Sequence, residues 1–204
     1  MIDKICNTTE KMFLRYGIKS ITMDDVAREL SMSKKTLYQY VTDKDDLVKK
    51  TILLHLQSMD SICLNVCMSE GHAIKQILKI AEMMINMHKE LNPGLLFDLK
   101  KFHPESFKIF TGHRETQMQN QVIENLKLGI AQNLYKKDIN IELTTGFYMA
   151  SIEHCLSSEV GLLNSVPFKE KYAYLVHYHL WAICTPEGLD YIRQNMTIDF
   201  QPNI

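Results

Sequence analysis

From Ser33 to Tyr40 the chain reads SKKTLYQY, which puts a serine, two lysines, a threonine, a glutamine and two tyrosines into eight residues. Their ammonium, hydroxyl, amide and phenol groups are the donors that meet phosphate oxygens and base edges. No acid falls between Ser31 and Thr42, whereas the next turn, TDKDD, is acidic around Lys44. The concentration is local. The chain holds 23 Lys and Arg against 24 Asp and Glu, with ten basic and eight acidic residues in the first fifty, so bulk charge alone names no polyanionic partner.

Other chemistries find less support. Among eight histidines and five cysteines, His177 and His179 are two apart on a helical pattern and diverge, and so do the adjacent His154 and Cys155. Cys63 and Cys67 share a face but have no further ligand near them in sequence, so no metal is expected. With Cys6, Cys155 and Cys184 they form no disulfide-framework spacing, and all five are expected as reduced thiols. There is no Gly-rich phosphate loop, nucleophile elbow or zinc signature, so neither enzyme activity nor a cofactor is expected. The segment MIDKICNTTEKMF has no apolar signal-peptide core, and no run approaches about 18 apolar residues. The expectation is a cytoplasmic protein with no membrane partner.

To present the Ser33–Tyr40 donors, neighbouring elements must hold them on a short helix. Ile2, Ile5, Thr9, Met12, Phe13 and Tyr16 follow the spacing of an amphipathic helix, and Gly17 stands at its C-cap. Thr22 with Asp25 is a carboxylate variant of the capping box, starting a helix that turns Val26, Ala27 and Leu30 inward. Ser33 is an N-cap for the next helix, whose core residue is Leu37. Tyr38 and Tyr40 lie about 200° apart around that helix, so at least one faces out. Lys44, in the first turn of a long following helix, opposes the dipole preference there, which a phosphate partner would explain.

Two short helices joined by about three residues, the second opening on Ser-Lys-Lys-Thr, are the sequence form of a helix-turn-helix. The segment ITMDDVARELSMSKKTLYQYVTDKDDLV resembles the DNA-binding domain of TetR-family transcriptional regulators. The matching positions are Thr22, Asp25, Val26, Ala27, Ser33, Thr36, Leu37, Tyr38, Tyr40, Lys44 and Leu47, and the clear resemblance spans roughly Ile5 to Leu53. It departs from the pattern at Ser31, where the family usually has Gly, at Lys35, where a small residue is common, and at Val41, where Phe is usual.

The resemblance implies an all-α fold, with a three-helix helix-turn-helix DNA-binding domain at residues 1–47 joined to a larger helical effector-binding and dimerisation bundle at residues 48–204. It further implies a homodimer on a near-palindromic double-stranded operator, most simply a repressor released when an unidentified small molecule enters the bundle. Activation, or a structural or division-linked DNA-bound role without effector, are the alternatives. The DNA contacts carried over are Thr22, Ser33, Lys34, Lys35, Thr36, Tyr38, Gln39, Tyr40 and Lys44. Base reading falls to Lys34, Lys35 and Gln39, and phosphate anchoring to Thr22, Thr36, Tyr38, Tyr40 and Lys44.

Beyond Ser69 the pattern stays helical: about His72–Leu91, a short LLFDLKKF, a long Pro104–Leu134, Ile141–Asn164, Phe168–Ile183 and a last helix after Thr185-Pro186. Adaptable apolar residues with a few polar ones are candidate cavity lining, namely Met84, Met87, His88, Phe97, Phe102, His103, Phe110, His113, Met118, Tyr148 and Met149, although ordinary core would carry the same residues. The two late helices are apolar around much of their circumference and must be covered on more than one side. They are the expected dimer interface, through Ile152, Leu156, Val160, Leu175, His179 and Leu180.

Overall fold

The computed structural model describes residues 1–89, 92, 94–156, 163 and 165–195, except the side chain of residue 114. Its helices are α1 (Ile2–Tyr16), α2 (Met23–Glu29), α3 (Lys34–Leu37), α4 (Lys44–Ser69), α5 (Ala73–His88), α6 (Leu95–Phe102), α7 (Pro104–His113), α8 (Gln119–Ala131), α9 (Ile141–Leu156), α10 (Phe168–Ile183) and α11 (Pro186–Asn195). Among the described residues there is no β-strand, only an isolated bridge between Tyr135 and Cys184. The chain forms two compact units, Met1–Ile62 with Glu90–Thr116 and Cys63–Lys89 with Gln117–Ile204, so α4 supplies residues to both.

In the first unit, Ile5, Phe13, Ile18, Val26, Ala27, Leu37, Val41, Leu47, Val48 and Leu99 close around one core. Local chemistry sets the helix ends. Gly17, at φ 81°, donates its N–H to Phe13 O at 2.9 Å and ends α1. Thr22 and Asp25 form the reciprocal capping box, with Asp25 N–H to Thr22 Oγ1 at 3.2 Å and Thr22 N–H to Asp25 Oδ2 at 3.0 Å. The turn between α2 and α3 takes Ser31 to φ 52°, the left-handed region where a non-glycine costs about 1–2 kcal/mol. Val41 is fully buried in place of a larger ring. Tyr16, expected on the inner face of α1, is exposed, because α1 ends beside it and the chain turns away at Gly17.

Three histidine–carboxylate pairs fasten α4 inside this unit. His55 Nδ1 lies 2.6 Å from Glu10 of α1, His103 Nδ1 lies 2.5 Å from Asp45, and His113 Nε2 lies 2.8 Å from Asp60.

The second unit buries Ala73, Ile74, Ala81, Ile85, Leu126, Tyr135, Ile152, Val176, Leu180 and Ile183 among α5, α8, α9 and α10. A buried polar chain runs through it. Tyr135 Oη donates to Asn125 Oδ1 at 3.2 Å, and Asn125 Nδ2 donates to Ala73 O and Gln76 Oε1, each at 2.9 Å. Gly129 is required here, since a Cβ at that position would collide with the Tyr135 ring. The long helix expected over 104–134 is two helices with a π-helical turn, Arg114–Met118, between them. Thr111 and Thr116 hydroxyls bond carbonyls three and four residues back around this point, the kind of side-chain competition that bends a helix. The end expected for the 141–164 helix lies outside the described residues, which carry α9 to Leu156.

Candidate nucleic-acid interface

α3 buries one side chain, Leu37, and turns the rest of its circumference outward. What that surface offers a polyanion depends on which donors are already spent.

Ser33 caps α3 by accepting the Thr36 N–H at 3.0 Å, and the two hydroxyls lie 2.8 Å apart. One hydroxyl proton is used between them, and one remains. Lys34 is engaged. Its Nζ sits 3.0 Å from Asp24 Oδ1 and 3.1 Å from Asp24 Oδ2. Lys35 and Gln39 are exposed, with no side-chain hydrogen bond among the described residues. Tyr38 is 44% exposed, Tyr40 is half-buried against the core, and neither phenol is hydrogen-bonded among the described residues. The Tyr40 carbonyl is held by Lys50 Nζ at 2.8 Å, which also pairs with Asp46, so the turn after α3 is tied to α4.

Two expected phosphate anchors are placed differently. Thr22 Oγ1 lies 2.5 Å from Asp25 Oδ2 and donates its proton there, and a phosphate oxygen, which can only accept, finds no donor on that hydroxyl. Lys44 Nζ donates to Ile18 O at 2.7 Å, closing the loop between α1 and α2. Burial lowers its ammonium's pKa below the ordinary lysine value, opposed by Asp98 and Asp45. The partner that its position in the first turn called for is a backbone carbonyl of its own chain.

The cavity candidates fall into different units. Phe97, Phe102, His103, Phe110 and His113 belong to the first, and Met84, Met87, His88, Met118, Tyr148 and Met149 to the second. Phe97 and Phe102 are exposed, with Lys101 Nζ 5.2 and 5.5 Å from their ring centres, and they line no interior. His103 and His113 are taken by Asp45 and Asp60, and Phe110 packs against the first core.

In the second unit the candidates join a continuous row of rings that the sequence reading only half identified. His88 stacks on Phe168 (centroids 3.6 Å), Phe168 on Tyr172 (5.2 Å), the Tyr172 and Tyr148 phenols are hydrogen-bonded, and Tyr148 stacks on His179 (4.0 Å). Burial pushes the Tyr148 phenol up to about 12 and the His179 imidazole down to about 4, so both are neutral at pH 7. His179 Nε2 and, one turn before Tyr148 on α9, Thr145 Oγ1 are buried without a hydrogen-bond partner among the described residues. Phe168, Tyr172 and Thr145 were missed. Nothing in helical spacing distinguishes a ring row from ordinary core.

Ile152, Leu175, His179 and Leu180, expected at a dimer interface, are buried in the core of their own unit, which removes them from any surface. Leu156 is half-buried against that core, and Val160 lies outside the described residues. The opposite face of the same helices is the open one. It carries Leu143 and Phe147 on α9, and Tyr174, Tyr178 and Trp181 on α10, with Phe147 74% exposed. Among the described residues no three His, Cys, Asp or Glu side chains are grouped to hold a metal, and no helix is long and apolar enough to cross a membrane.

Residues 5–51 match the family described as bacterial regulatory proteins, tetR family. The uncharacterised HTH-type transcriptional regulator YvaF of Bacillus subtilis strain 168 is 28% identical over 165 residues, which cover 79% of this chain and 84% of the relative. Solved structures share the fold at low identity. A transcriptional regulator from Saccharomonospora viridis in complex with choline superposes with a TM-score of 0.73 at 12% identity, covering 90% of this chain and 97% of that one. A TetR-family regulator from Agrobacterium tumefaciens gives 0.72 at 15% identity, again over 90% and 97%. Residues 5–51, with their capped helix-turn-helix, thus match the tetR-family model, and the chain is similar to HTH-type transcriptional regulators and, over its described residues, all-helical like the solved regulators it superposes on.

Proposed function

We propose that the protein is a homodimeric repressor that sets α3 of each protomer into the major groove of a near-palindromic operator and leaves it when a small molecule binds in the second unit. The observation that carries this reading is the set of unspent donors around α3. Lys35 and Gln39 are the exposed side chains free to read base edges, Gln suiting adenine and Lys guanine. Tyr38, Tyr40 and the remaining Ser33–Thr36 hydroxyl proton donate to phosphates, while Thr22 and Lys44 act on DNA indirectly by fixing the start of α2 and the loop before it. Residues 1–47 act as the reading head and residues 48–204 as the responding bundle, in the cytoplasm where the DNA is.

The second copy docks on the open face of α9 and α10, where Phe147, Tyr174 and Tyr178 would otherwise stay in water. The effector contacts the ring row. Two buried polar atoms without partners among the described residues, His179 Nε2 and Thr145 Oγ1, favour a molecule with a complementary polar group on an aromatic or otherwise flat body. Rings also suit a quaternary ammonium, the group in the choline bound by the Saccharomonospora viridis regulator, so choline belongs among the probes.

The test is fluorescence anisotropy with a labelled duplex. Lys35→Ala combined with Tyr38→Phe should weaken binding about tenfold or more, given the strength of hydrogen bonds to charged groups. Unchanged affinity would remove α3 from the contact.

A further inference from the structure

The donors of α3 are not equally available, and the difference lies in one residue of α2. Asp24, in the first turn of α2, holds the Lys34 ammonium with both carboxylate oxygens, at 3.0 and 3.1 Å. The neighbouring carboxylate has another task, since Asp25 closes the capping box with Thr22 and lies 3.5 Å from Arg28. Asp24 makes no capping contact and spends its charge on Lys34. Both side chains are half or more exposed, Tyr38 is near enough to act on the Lys34 charge, and Lys35 and Gln39 are exposed close by in sequence.

We infer that Asp24 is a positioning residue for DNA discrimination: it binds Lys34, withholds that ammonium from the DNA backbone, and so limits sequence-independent affinity while Lys35 and Gln39 read the groove. This rests on α3 being the DNA-contacting helix. A lysine free beside α3 would find a phosphate on any duplex, and its neutralisation would release counterions whatever the sequence. Neutralised in advance by a carboxylate, it adds nothing to that general attraction. Asp24 in turn is a negative charge that the DNA tolerates because Lys34 covers it. The same pairing raises the Lys34 pKa above its ordinary value, chiefly through the hydrogen bond to Asp24.

The experiment is a double-mutant cycle of Asp24→Asn and Lys34→Ala in the full chain, read by anisotropy on a labelled random-sequence duplex across a salt series. Asp24→Asn should tighten binding and steepen the salt dependence by about one phosphate, so that roughly three- to fourfold more affinity is lost between about 50 and 200 mM salt than wild type loses. In the Lys34→Ala background the same substitution should leave the slope unchanged. Asp24→Glu, which keeps the charge, should restore the wild-type slope. An equal slope change with and without Lys34, or none in either, would overturn the assignment. Wild type that binds no duplex even at low salt would sink the DNA-contact reading and this inference together, a result distinguishable from failure of the cycle. A melting curve for each variant confirms that a changed slope comes from folded protein.

Discussion

The ammonium of Lys44 lies 2.7 Å from the carbonyl oxygen of Ile18, twenty-six residues earlier, and so closes the loop that leads into α2. A cation in the first turn of a helix is unfavourable on its own, and the Ile18 carbonyl, in the turn after α1 where it also accepts the Ile21 N–H, compensates it. The residue expected to anchor DNA thus ties the start of α4 to the loop between α1 and α2.

Lys44→Met keeps the aliphatic stem and deletes the charge. A hydrogen bond from a charged donor is worth about 1.5–3 kcal/mol, so the variant should melt lower by a loss in that range. Its salt slope for DNA should match that of wild type, because the contact it loses is internal. Thermal melts and a salt series check both halves. A flattened slope with an unchanged melt would return Lys44 to the phosphates.

The open face of α9 and α10 makes a second prediction. Phe147→Glu with Tyr178→Glu alters side chains that are 74% and 67% exposed, so the protomer should keep its helical content. Sedimentation should shift from dimer to monomer at micromolar concentration, and operator affinity should fall because two half-sites are no longer held together. A dimer that survives both charges would place the interface elsewhere.

Thr145 and His179 carry the third prediction. Thr145→Val removes a buried hydroxyl that has no partner among the described residues, at nearly constant shape, and should stabilise the protein by about 1 kcal/mol. The same variant should lose any melting-temperature shift and DNA release produced in wild type by choline or by benzyl alcohol, the two probes for a cationic and a neutral effector. Destabilisation by the valine would show that the hydroxyl has a partner, and an intact response would move the effector away from the ring row.

The fourth concerns pH. His179 has its pKa lowered by burial from the ordinary 6.5 to about 4. Between these values the unfolded chain binds a proton that the folded chain refuses, so stability falls as pH drops through this window and is fully present above 6.5. The lowering corresponds to about 3 kcal/mol across the window. His179→Phe keeps a ring against Tyr148 and should flatten this part of the curve relative to wild type, as measured by urea unfolding at pH 7, 5.5 and 4.5. Parallel curves would show that His179 is not the group responsible.

Which of these features the sequence revealed follows from the range of the interactions. The caps at Gly17, Thr22 and Ser33 were legible because each acts within four residues, and the left-handed turn at Ser31 was legible from the family's glycine at that place. The partners of Lys34 and Lys44 were not, because they come from ten and twenty-six residues away. The inward residues of α9 and α10 were not separable from the outward ones for a different reason. α9 and α10 carry Tyr, Phe and Leu on both sides, so periodicity did not separate Leu175 and Leu180, which face inward, from Tyr174 and Tyr178, which face out. The π turn at Arg114–Met118 has no proline or glycine within it to announce it.

The central claim is sequence-specific reading of DNA by α3, and it is tested most directly by selecting bound duplexes from a randomised pool with the purified full-length chain. The account predicts enrichment of a near-palindrome whose two half-sites are separated by about one helical turn or a multiple of it, and a changed half-site when Lys35→Ala replaces wild type in the selection. A pool that stays random at moderate salt, or an enriched motif that Lys35→Ala and Gln39→Ala both leave untouched, would contradict it.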